Sequence, residues 1–395
     1  MLGVLRRLRK IRQKSNNTNH RIFILNFKIM KTKFSRFATR ISVALVIMSA
    51  LVACDESDGL QDGAAPNPQP RQEMAYVVNQ GSIYSGIAGS LDAFSLTDGT
   101  YSNSIFSATN QQSLGDSPQA GVAYGSRLYI AVFGSNLVWA IDRDTWQIAA
   151  QITTTAPEGI CAADGAVYVT NNDGYVTRID TTTLQADARL AVGPNPAHLT
   201  AADGHLYISI SDGYNYNGGY ANGCRVAKVR LSDFTKVGDI MVGVNPGPIA
   251  ADASGRVFVV ARGNYADILP QVYQIQPDGT ATVLCEGSDV AVAGENLYVM
   301  NQVTDWSVVP AVNRVSFNIY DTQSGRVKQE NFIPTAQQPV APIRLIAHPT
   351  NGEIYVTSNA SLTDYTSPGY VYRYAADGTF IARYDAGIAP CDIFL

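Results

Sequence analysis

Short apolar segments alternate with glycine- and aspartate-containing turns through most of the chain, and the alternation repeats. Each copy opens with a proline or a glycine and reaches an aromatic residue among aliphatic ones 11 to 13 positions later. Pro118, Pro157 and Pro196 open successive copies at intervals of 39 residues. Because four short strands in a repeat of about 40 residues are typical of a propeller blade, the pattern predicts an all-β propeller.

The aromatic residue recurs at one position of the repeat and is followed by a third and a fourth strand. It is found at Tyr129, Tyr168, Tyr207, Phe258, Tyr298 and Tyr355. A residue that recurs in every copy at the centre of a buried strand is expected to pack the repeats against one another. We therefore predict that these aromatic side chains form the core between blades and are not a ligand-binding platform.

The two ends of the repeat region complete one further copy. Residues 75–79 form a second strand with no first strand before it, whereas residues 389–395 form a first strand with nothing after it. Pairing these two strands in one sheet would close the ring and remove an exposed sheet edge. The sequence thus predicts a single domain over residues 75–395, a seven-bladed β-propeller closed by its N- and C-terminal strands.

The N-terminal region has the layout of a secretory signal. Residues 30–53 contain a basic segment, an apolar segment ending in Leu51-Val52-Ala53, and then Cys54. Small or aliphatic residues before a cysteine match the bacterial lipobox, so Cys54 is the predicted site of lipidation. The apolar run is too short for a membrane-spanning helix. Residues 1–29 add a basic stretch without a role in this layout and are interpreted as a misplaced start.

Residues 54–74 are predicted to be a lipidated acidic tether and linker. Asp55-Glu56-Ser57-Asp58 resembles the export signal that sends lipoproteins of the Bacteroidetes to the outer face of the outer membrane, although a solvated acidic tether would look the same. The predicted location is therefore the cell surface, through a lipid anchor in the outer membrane.

Charge and composition exclude several classes of function. The first 53 residues contain twelve Lys or Arg and no acid, which leaves 17 basic and 33 acidic residues for the rest. Such an acidic body repels phosphate backbones, so a nucleic-acid partner is not expected. Nucleophile, phosphate-loop and His-Glu-x-x-His motifs are missing. Pairing of the remaining cysteines cannot be read from spacing; they are Cys161, Cys224, Cys285 and Cys391.

Five of the seven loops between second and third strands are long and rich in Tyr, Trp, Asn and Gly. In a propeller these loops surround one mouth of the central channel, and long loops in a compact domain commonly bind a ligand. Tyr and Trp supply large and stiff contact area with a polar tip. The aromatic candidates are Tyr84, Tyr214, Tyr216, Tyr220, Tyr265, Trp306 and Tyr365, and the polar candidates near the same mouth are His198, Arg262, Asn264 and Arg344.

A metal-dependent alternative uses oxygen ligands at the channel. Acidic residues at first-strand starts and nearby amides could supply a Ca²⁺ site, since Ca²⁺ prefers carboxylate and carbonyl oxygens. The candidate set is Glu158, Asn171, Asp289, Asn301 and Asp392. This alternative corresponds to a hydrolase of the lactonase-like propeller type. Otherwise no cofactor and no catalytic residue are expected.

Segments such as Val167-Tyr168-Val169-Thr170-Asn171 resemble the repeat of YncE-like propellers, which is named for Tyr-Val-Thr-Asn. Joined to the lipobox and the acidic export segment, the chain resembles the BtuG-type surface lipoproteins of Bacteroidetes. That resemblance implies binding of cobalamin or another corrinoid on one propeller face and its transfer to a TonB-dependent outer-membrane transporter. The leading hypothesis is therefore a non-enzymatic capture protein; the alternatives are a glycan binder, a Ca²⁺ hydrolase and a protein-interaction scaffold.

Overall fold

Seven antiparallel sheets of four strands each form the computed structural model, which describes residues 73–395. Within each sheet, neighbouring strands in space are neighbours in sequence, except where the C-terminal strand joins the N-terminal ones. The sheets are the blades of a seven-bladed β-propeller, and they are numbered here from the N-terminus. The expected signal peptide, the upstream extension, Cys54 and most of the tether lie outside the described residues.

Blades 1 to 4 are given from the innermost strand outward. Blade 1 contains β28 (Pro390–Phe394), β1 (Met74–Asn79), β2 (Ser90–Ser95) and β3 (Tyr101–Ser102). Blade 2 contains β4 (Pro118–Tyr124), β5 (Arg127–Val132), β6 (Leu137–Asp142) and β7 (Ile148–Thr153). Blade 3 contains β8 (Pro157–Ala163), β9 (Ala166–Asn171), β10 (Tyr175–Asp180) and β11 (Gln185–Ala191). Blade 4 contains β12 (Pro196–Ala202), β13 (His205–Ile210), β14 (Arg225–Arg230) and β15 (Thr235–Met241).

Blades 5 to 7 follow the same order. Blade 5 contains β16 (Pro246–Ala251), β17 (Val257–Ala261), β18 (Gln271–Ile275) and β19 (Ala281–Glu286). Blade 6 contains β20 (Asp289–Ala293), β21 (Asn296–Asp305), β22 (Val312–Asp321) and β23 (Val327–Gln329). Blade 7 contains β24 (Ala341–Ala347), β25 (Ile354–Asn359), β26 (Pro368–Tyr374) and β27 (Phe380–Ile388). The helical segments are α1 (Ile105–Asn110) and the 3₁₀ turns Ile83–Ser85, Tyr216–Gly218 and Thr335–Gln337.

The ring closes as the sequence predicts. Strand β28 pairs antiparallel with β1, with Tyr76 opposite Phe394 and Val77 opposite Ile393. The rings of Tyr76 and Phe394 stack with centroids 5.4 Å apart. Because both chain ends are held in one sheet, neither leaves a free inner edge at the junction.

The hydrophobic core is divided into seven clusters of buried residues, and within residues 73–395 one cluster lies between each pair of neighbouring blades. Each cluster contains one aromatic residue from the second strand of a blade. These residues are Tyr76, Tyr129, Tyr168, Tyr207, Phe258, Tyr298 and Tyr355, each at most 2% exposed. The predicted packing role of the recurring aromatic residue is confirmed, because each ring fills the space between two twisted sheets.

Two blades depart from the repeat in ways that the sequence pattern did not reveal. In blade 1 the outer strand β3 has two residues and is followed by α1, whose Ile105 and Phe106 are buried against blade 2. In blade 6 the predicted loop over residues 302–312 is largely a β-hairpin, since β21 and β22 pair from Asn296–Asp321 to Asp305–Val312. The loop at its tip is therefore limited to residues 306–311.

The topology separates the two faces of the ring. Because all blades share one strand order, the loops between second and third strands open on the same face as the turns that lead into the innermost strands. We call this the mouth face. The first described residue, Glu73, lies on the opposite face, where its Oε1 is 2.9 Å from Nε2 of His348 in the turn between β24 and β25. The described chain thus enters the propeller on the face away from the mouth.

No helix in the described part of the chain has the length and apolar character needed to cross a membrane.

Candidate functional site

One cavity lies in the central channel, and a second lies beside it on the mouth face, toward blades 2 to 5. The channel cavity, of about 180 Å³, is bordered by innermost strands and includes His198, Arg344 and Asp392. The mouth cavity, of about 290 Å³, opens toward the loops of blades 4 and 5. Gln119 borders both cavities.

A break in strand register turns polar side chains toward the channel. His198, Arg344 and Asp392 each stand two residues after the proline that opens an innermost strand. At this point the pairing with the second strand shifts, between Pro196 and Leu199 and between Pro342 and Arg344. Such bulges re-aim side chains locally. The same three residues therefore line the channel cavity from three different blades.

Within the channel, Arg344 is held between two carboxylates. Its Nη1 donates to Oδ1 of Asp289 at 2.5 Å, and its Nε is 3.4 Å from Oδ1 of Asp392. The backbone N–H of Leu345 donates to the other oxygen of Asp289 at 2.6 Å, and that of Gly121 donates to Asp392 at 3.0 Å. Burial raises the pKa of both carboxyl groups, while the charge of Arg344 opposes that rise.

Four of the five residues of the Ca²⁺ alternative, all but Asn301, are engaged with other groups of the chain, and the buried Oδ1 of Asn301 accepts no hydrogen bond from the described residues. Arg344 occupies the place between Asp289 and Asp392 that a cation would need. The amide of Asn171 is buried and used, because it donates to Thr154 and accepts from Thr177. Among residues 73–395, no three Asp, Glu, His or Cys side chains are grouped closely enough to hold a metal ion. The Ca²⁺ alternative stays a prediction.

The thiol of Cys391 lies beside the channel cavity but is engaged with the backbone. Its Sγ is 3.4 Å from the carbonyl oxygens of Val78 and Pro118. Burial raises its pKa, and burial raises the pKa of Cys161 to about 12. Both thiols are therefore protonated at neutral pH and are poor nucleophiles.

The mouth cavity brings together residues from blades 2 to 5. It is lined by Gln119, Phe133, Glu158, Asn172, Asn195, Ser211, Gly213, Tyr214, Tyr220, Asn245, Arg262 and Tyr265. Five of these were candidates from the sequence, namely Glu158, Tyr214, Tyr220, Arg262 and Tyr265. The others were missed, although Asn195 and Asn245 each precede a proline that opens an innermost strand, and that repeated Asn-Pro pair is a usable signal.

Aromatic side chains form the outer wall of the mouth cavity. Tyr214 is 63% exposed and Tyr265 is 73% exposed, whereas Tyr220 is buried. Tyr220 and Tyr265 both have a left-handed backbone, with φ of 57° and 56°, which is an uncommon conformation for a bulky residue. Such strain persists only where the surrounding loop fixes it, and it is often found at binding sites.

Two polar side chains fix the loops that carry these tyrosines. In the loop between β13 and β14, Oδ2 of Asp212 accepts from the side chain of Asn215 at 2.8 Å and from the backbone of Asn222 at 2.9 Å. In the loop between β17 and β18, Oδ1 of Asn264 accepts from the backbone N–H groups of Ala266, Asp267 and Ile268. These hydrogen bonds fix both loops before a ligand binds. The Oδ1 atom of Asn264, a predicted ligand contact, accepts hydrogen bonds within its own loop.

Charged groups at the floor of the mouth differ from those of the channel. Arg262 donates from Nη2 to Nε2 of His198 at 3.2 Å. Burial, together with the charges of Arg262 and Arg344, lowers the pKa of His198 well below its ordinary value, so the imidazole is neutral and can accept this hydrogen bond. Burial raises the pKa of Glu158, and Arg262 opposes the rise. Oε2 of Glu158 accepts from Nδ2 of Asn172 at 2.7 Å.

The remaining aromatic candidates stand on the same face but do not line either cavity. Tyr84, Tyr216, Trp306 and Tyr365 lie on loops between second and third strands and are 79%, 42%, 61% and 57% exposed. They belong to the rim around the mouth. The structure therefore divides the predicted aromatic residues into those that line the mouth cavity, between blades 2 and 5, and those on an outer rim.

Comparison with known proteins identifies the architecture. No protein-family model and no curated protein matches the sequence. Among solved structures, Kuenenia stuttgartiensis hydrazine synthase is similar with a TM-score of 0.58 and 16% identity, covering 70% of this chain and 89% of that one. A quinoprotein alcohol dehydrogenase-like protein from Bacteroides thetaiotaomicron is similar with a TM-score of 0.59 and 14% identity, covering 82% of this chain and 77% of that one. At such identities the similarity shows the propeller fold alone.

Proposed function

We propose that this seven-bladed propeller is a surface-anchored, non-enzymatic lipoprotein that captures a corrinoid at the mouth and passes it to a TonB-dependent outer-membrane transporter. The observation that carries the proposal is the mouth cavity, whose exposed Tyr214 and Tyr265 stand on loops fixed by Asp212 and Asn264. Preorganised loops reduce the entropy lost on binding. The resemblance to BtuG-type lipoproteins supplies the ligand class.

The point at which the described chain enters the propeller is compatible with a capture role. Glu73, the first described residue and part of the predicted tether, lies on the face opposite the mouth. The described start of the chain therefore does not cover the mouth loops.

The dimensions of the mouth suggest how a large ligand would bind. A cavity of about 290 Å³ is at the lower end of the roughly 300 to 1,000 Å³ typical of small-molecule sites. A corrinoid is larger, so only a group on its periphery would enter the cavity. The macrocycle would then rest on the rim, against side chains such as Trp306 and Tyr216.

Calorimetric titration of the purified protein with cyanocobalamin tests the proposal. We expect tight binding, and a combined replacement of Tyr216, Tyr265 and Trp306 by Ala should weaken it by several kcal/mol in total. Replacement of Phe380, an exposed aromatic residue that begins β27 on the face opposite the mouth, by Ala is the control. Absence of cyanocobalamin binding by the folded wild-type protein would reject corrinoid capture.

The anchor is tested separately, by metabolic labelling with a radioactive fatty acid in a bacterial host that processes lipoproteins. Wild-type protein should incorporate label and fractionate with the outer membrane. A Cys54→Ala variant should incorporate none. Label that persists in the variant would place the lipid elsewhere or contradict the lipobox interpretation.

A further inference from the structure

Two oppositely charged side chains border the mouth cavity and keep hydrogen-bonding capacity for a ligand. Among residues 73–395, the one hydrogen bond to the Glu158 carboxylate is that from Asn172 to Oε2. Arg262 has one partner in the same set, the neutral acceptor Nε2 of His198. A guanidinium has five N–H donors and a carboxylate about four acceptor positions, so most of this capacity is left for groups in the cavity.

The second arginine in this region, Arg344, differs from Arg262 in having carboxylate partners. Arg344 is 20% exposed in its side chain and lies between two carboxylates, one of them 1% exposed. No carboxylate in the described part of the chain forms an ion pair with Arg262. Arg344 therefore holds the channel together, whereas Arg262 is available to a ligand.

The backbone makes room for Arg262 in this position. A Cβ atom on Gly247 would lie 2.4 Å from both Cζ and Nε of Arg262, which no side chain could tolerate without displacing the guanidinium. The chain thus has a glycine where the arginine lies flat against β16. This placement fixes the guanidinium on the floor of the cavity, with Tyr265 and Tyr214 on the wall.

We propose that Glu158 and Arg262 together recognise a primary carboxamide of the bound ligand, an inference that rests on the proposed capture of a corrinoid, whose periphery carries such amides. A primary amide presents a carbonyl acceptor and an N–H₂ donor. Arg262 only donates, so it takes the carbonyl oxygen. Glu158 accepts, so it takes the N–H₂ group.

Other ligand groups of similar size fit the pair less well. A ligand carboxylate would bind Arg262 but would bring a second negative charge toward Glu158. A ligand ammonium would bind Glu158 but would be repelled by Arg262. Like charges held close in a partly desolvated site are disfavoured, so the pair selects a neutral group with one donor side and one acceptor side.

Cyanocobalamin and its separate monocarboxylate derivatives, in each of which one peripheral amide is hydrolysed, are the probes. For the wild-type protein at pH 7, we expect at least one derivative to bind ten-fold or more weakly than cyanocobalamin in calorimetric titration. With Glu158→Gln, cyanocobalamin should bind less than three-fold more tightly than that derivative, because the variant has no negative charge to repel the ligand carboxylate. Glu158→Asp should retain the preference, and Arg262→Gln should weaken binding of both ligands.

Glu295→Gln, which removes one acid from a turn on the opposite face, is the control for net charge and should behave as wild type. If every monocarboxylate binds as tightly as cyanocobalamin, or if Glu158→Gln keeps the full preference, the carboxamide subsite is wrong while corrinoid capture stands. If cyanocobalamin does not bind at all, corrinoid capture fails and the subsite fails with it. Circular dichroism melts of the variants establish that each is folded.

Discussion

The channel cavity and the mouth cavity share Gln119 at their border, yet the charged side chains in them have different partners. In the channel, Arg344 is matched by Asp289 and Asp392, and backbone N–H groups take up the remaining carboxylate oxygens. At the mouth, Arg262 rests on a neutral imidazole and Glu158 on an amide. Two cationic side chains in one fold thus have different environments and different uses.

The physical reason for this difference is the cost of removing charge from water. A buried ion needs an opposite charge and hydrogen bonds, because its desolvation is expensive. A partly exposed ion can remain without an opposite charge and can exchange its water for a ligand. Arg262 and Arg344 are both partly exposed. What separates them is the oppositely charged partner that, among the described residues, only Arg344 has, and the following predictions test that difference in order of decreasing effect.

Replacement of Arg344 by Leu should have the largest effect on stability. It leaves Asp289 buried without its cation, and breaking a buried pair in this way costs about 3 to 5 kcal/mol. Urea unfolding at pH 7 measures the loss. Adding Asp289→Asn should recover part of it, since the neutral amide no longer needs a cation. A single variant as stable as wild type would contradict the structural role of Arg344.

Replacement of Tyr265 by Ala should reduce affinity and leave stability nearly unchanged. The side chain is 73% exposed on the cavity wall, so truncation removes ligand contact but little folded-state packing. We expect a loss of about 2 kcal/mol in binding of cyanocobalamin, as for an interface hot spot, and a change of at most about 0.5 kcal/mol in the free energy of unfolding. Tyr84→Ala, on the rim outside the cavity, should cost less affinity.

The lowered pKa of His198 predicts a pH-dependent loss of stability. The unfolded chain takes up a proton near pH 6.5, whereas the folded imidazole stays neutral well below that value, so acid favours unfolding. The free energy of unfolding should fall by up to about 1.4 kcal/mol per pH unit below pH 6.5 from this residue. His198→Gln should flatten the profile relative to wild type. His205→Gln, the same change at the half-buried first residue of β13, is the comparison variant.

Replacement of Gly247 by Ala should displace Arg262 without changing any charge. The added Cβ would lie 2.4 Å from the guanidinium carbon, and the flexible arginine side chain can move away from it. We expect about 1 kcal/mol or less in stability and about a ten-fold loss of affinity for cyanocobalamin, equal to about 1.4 kcal/mol. Unchanged affinity would show that the exact position of Arg262 is unimportant.

The repeat was predictable because it is local. A proline, a turn and an alternating strand pattern recur often enough that the number of blades, their second-strand aromatic residues and the closing pair of strands follow from the sequence. The departures from the repeat were harder to predict from the sequence. The segment with Trp306 looks like a loop by its Asp, Pro and Asn residues, but β21 and β22 extend each other through ten paired positions. In blade 1 the outer strand β3 has only two residues, and the helix α1 follows it. Ile105 and Phe106 of α1 are buried against blade 2, a long-range contact that the local sequence pattern does not show.

The sequence predicted the kinds of residue that form the candidate site but only some of the individual residues. Tyr214, Tyr265, Arg262 and Glu158 were singled out, and they line one cavity. Asp392 and Arg344 were assigned to different candidate sites, yet they face each other in the channel. Both stand two residues after a proline in successive innermost strands, so the repeat places them at equivalent positions, but it does not reveal that the register shifts turn these two side chains toward each other.

The sequence by itself therefore determined the architecture: a repeated pattern of hydrophobic and turn residues makes each blade unable to bury its faces alone, so seven copies must pack into a ring. Only the tertiary structure decided which polar side chains share a cavity. That choice depends on register shifts at the start of six of the seven innermost strands and on which side chains of different blades then meet. Neither the register shifts nor the contacts between blades can be read from the local pattern of hydrophobic and turn residues.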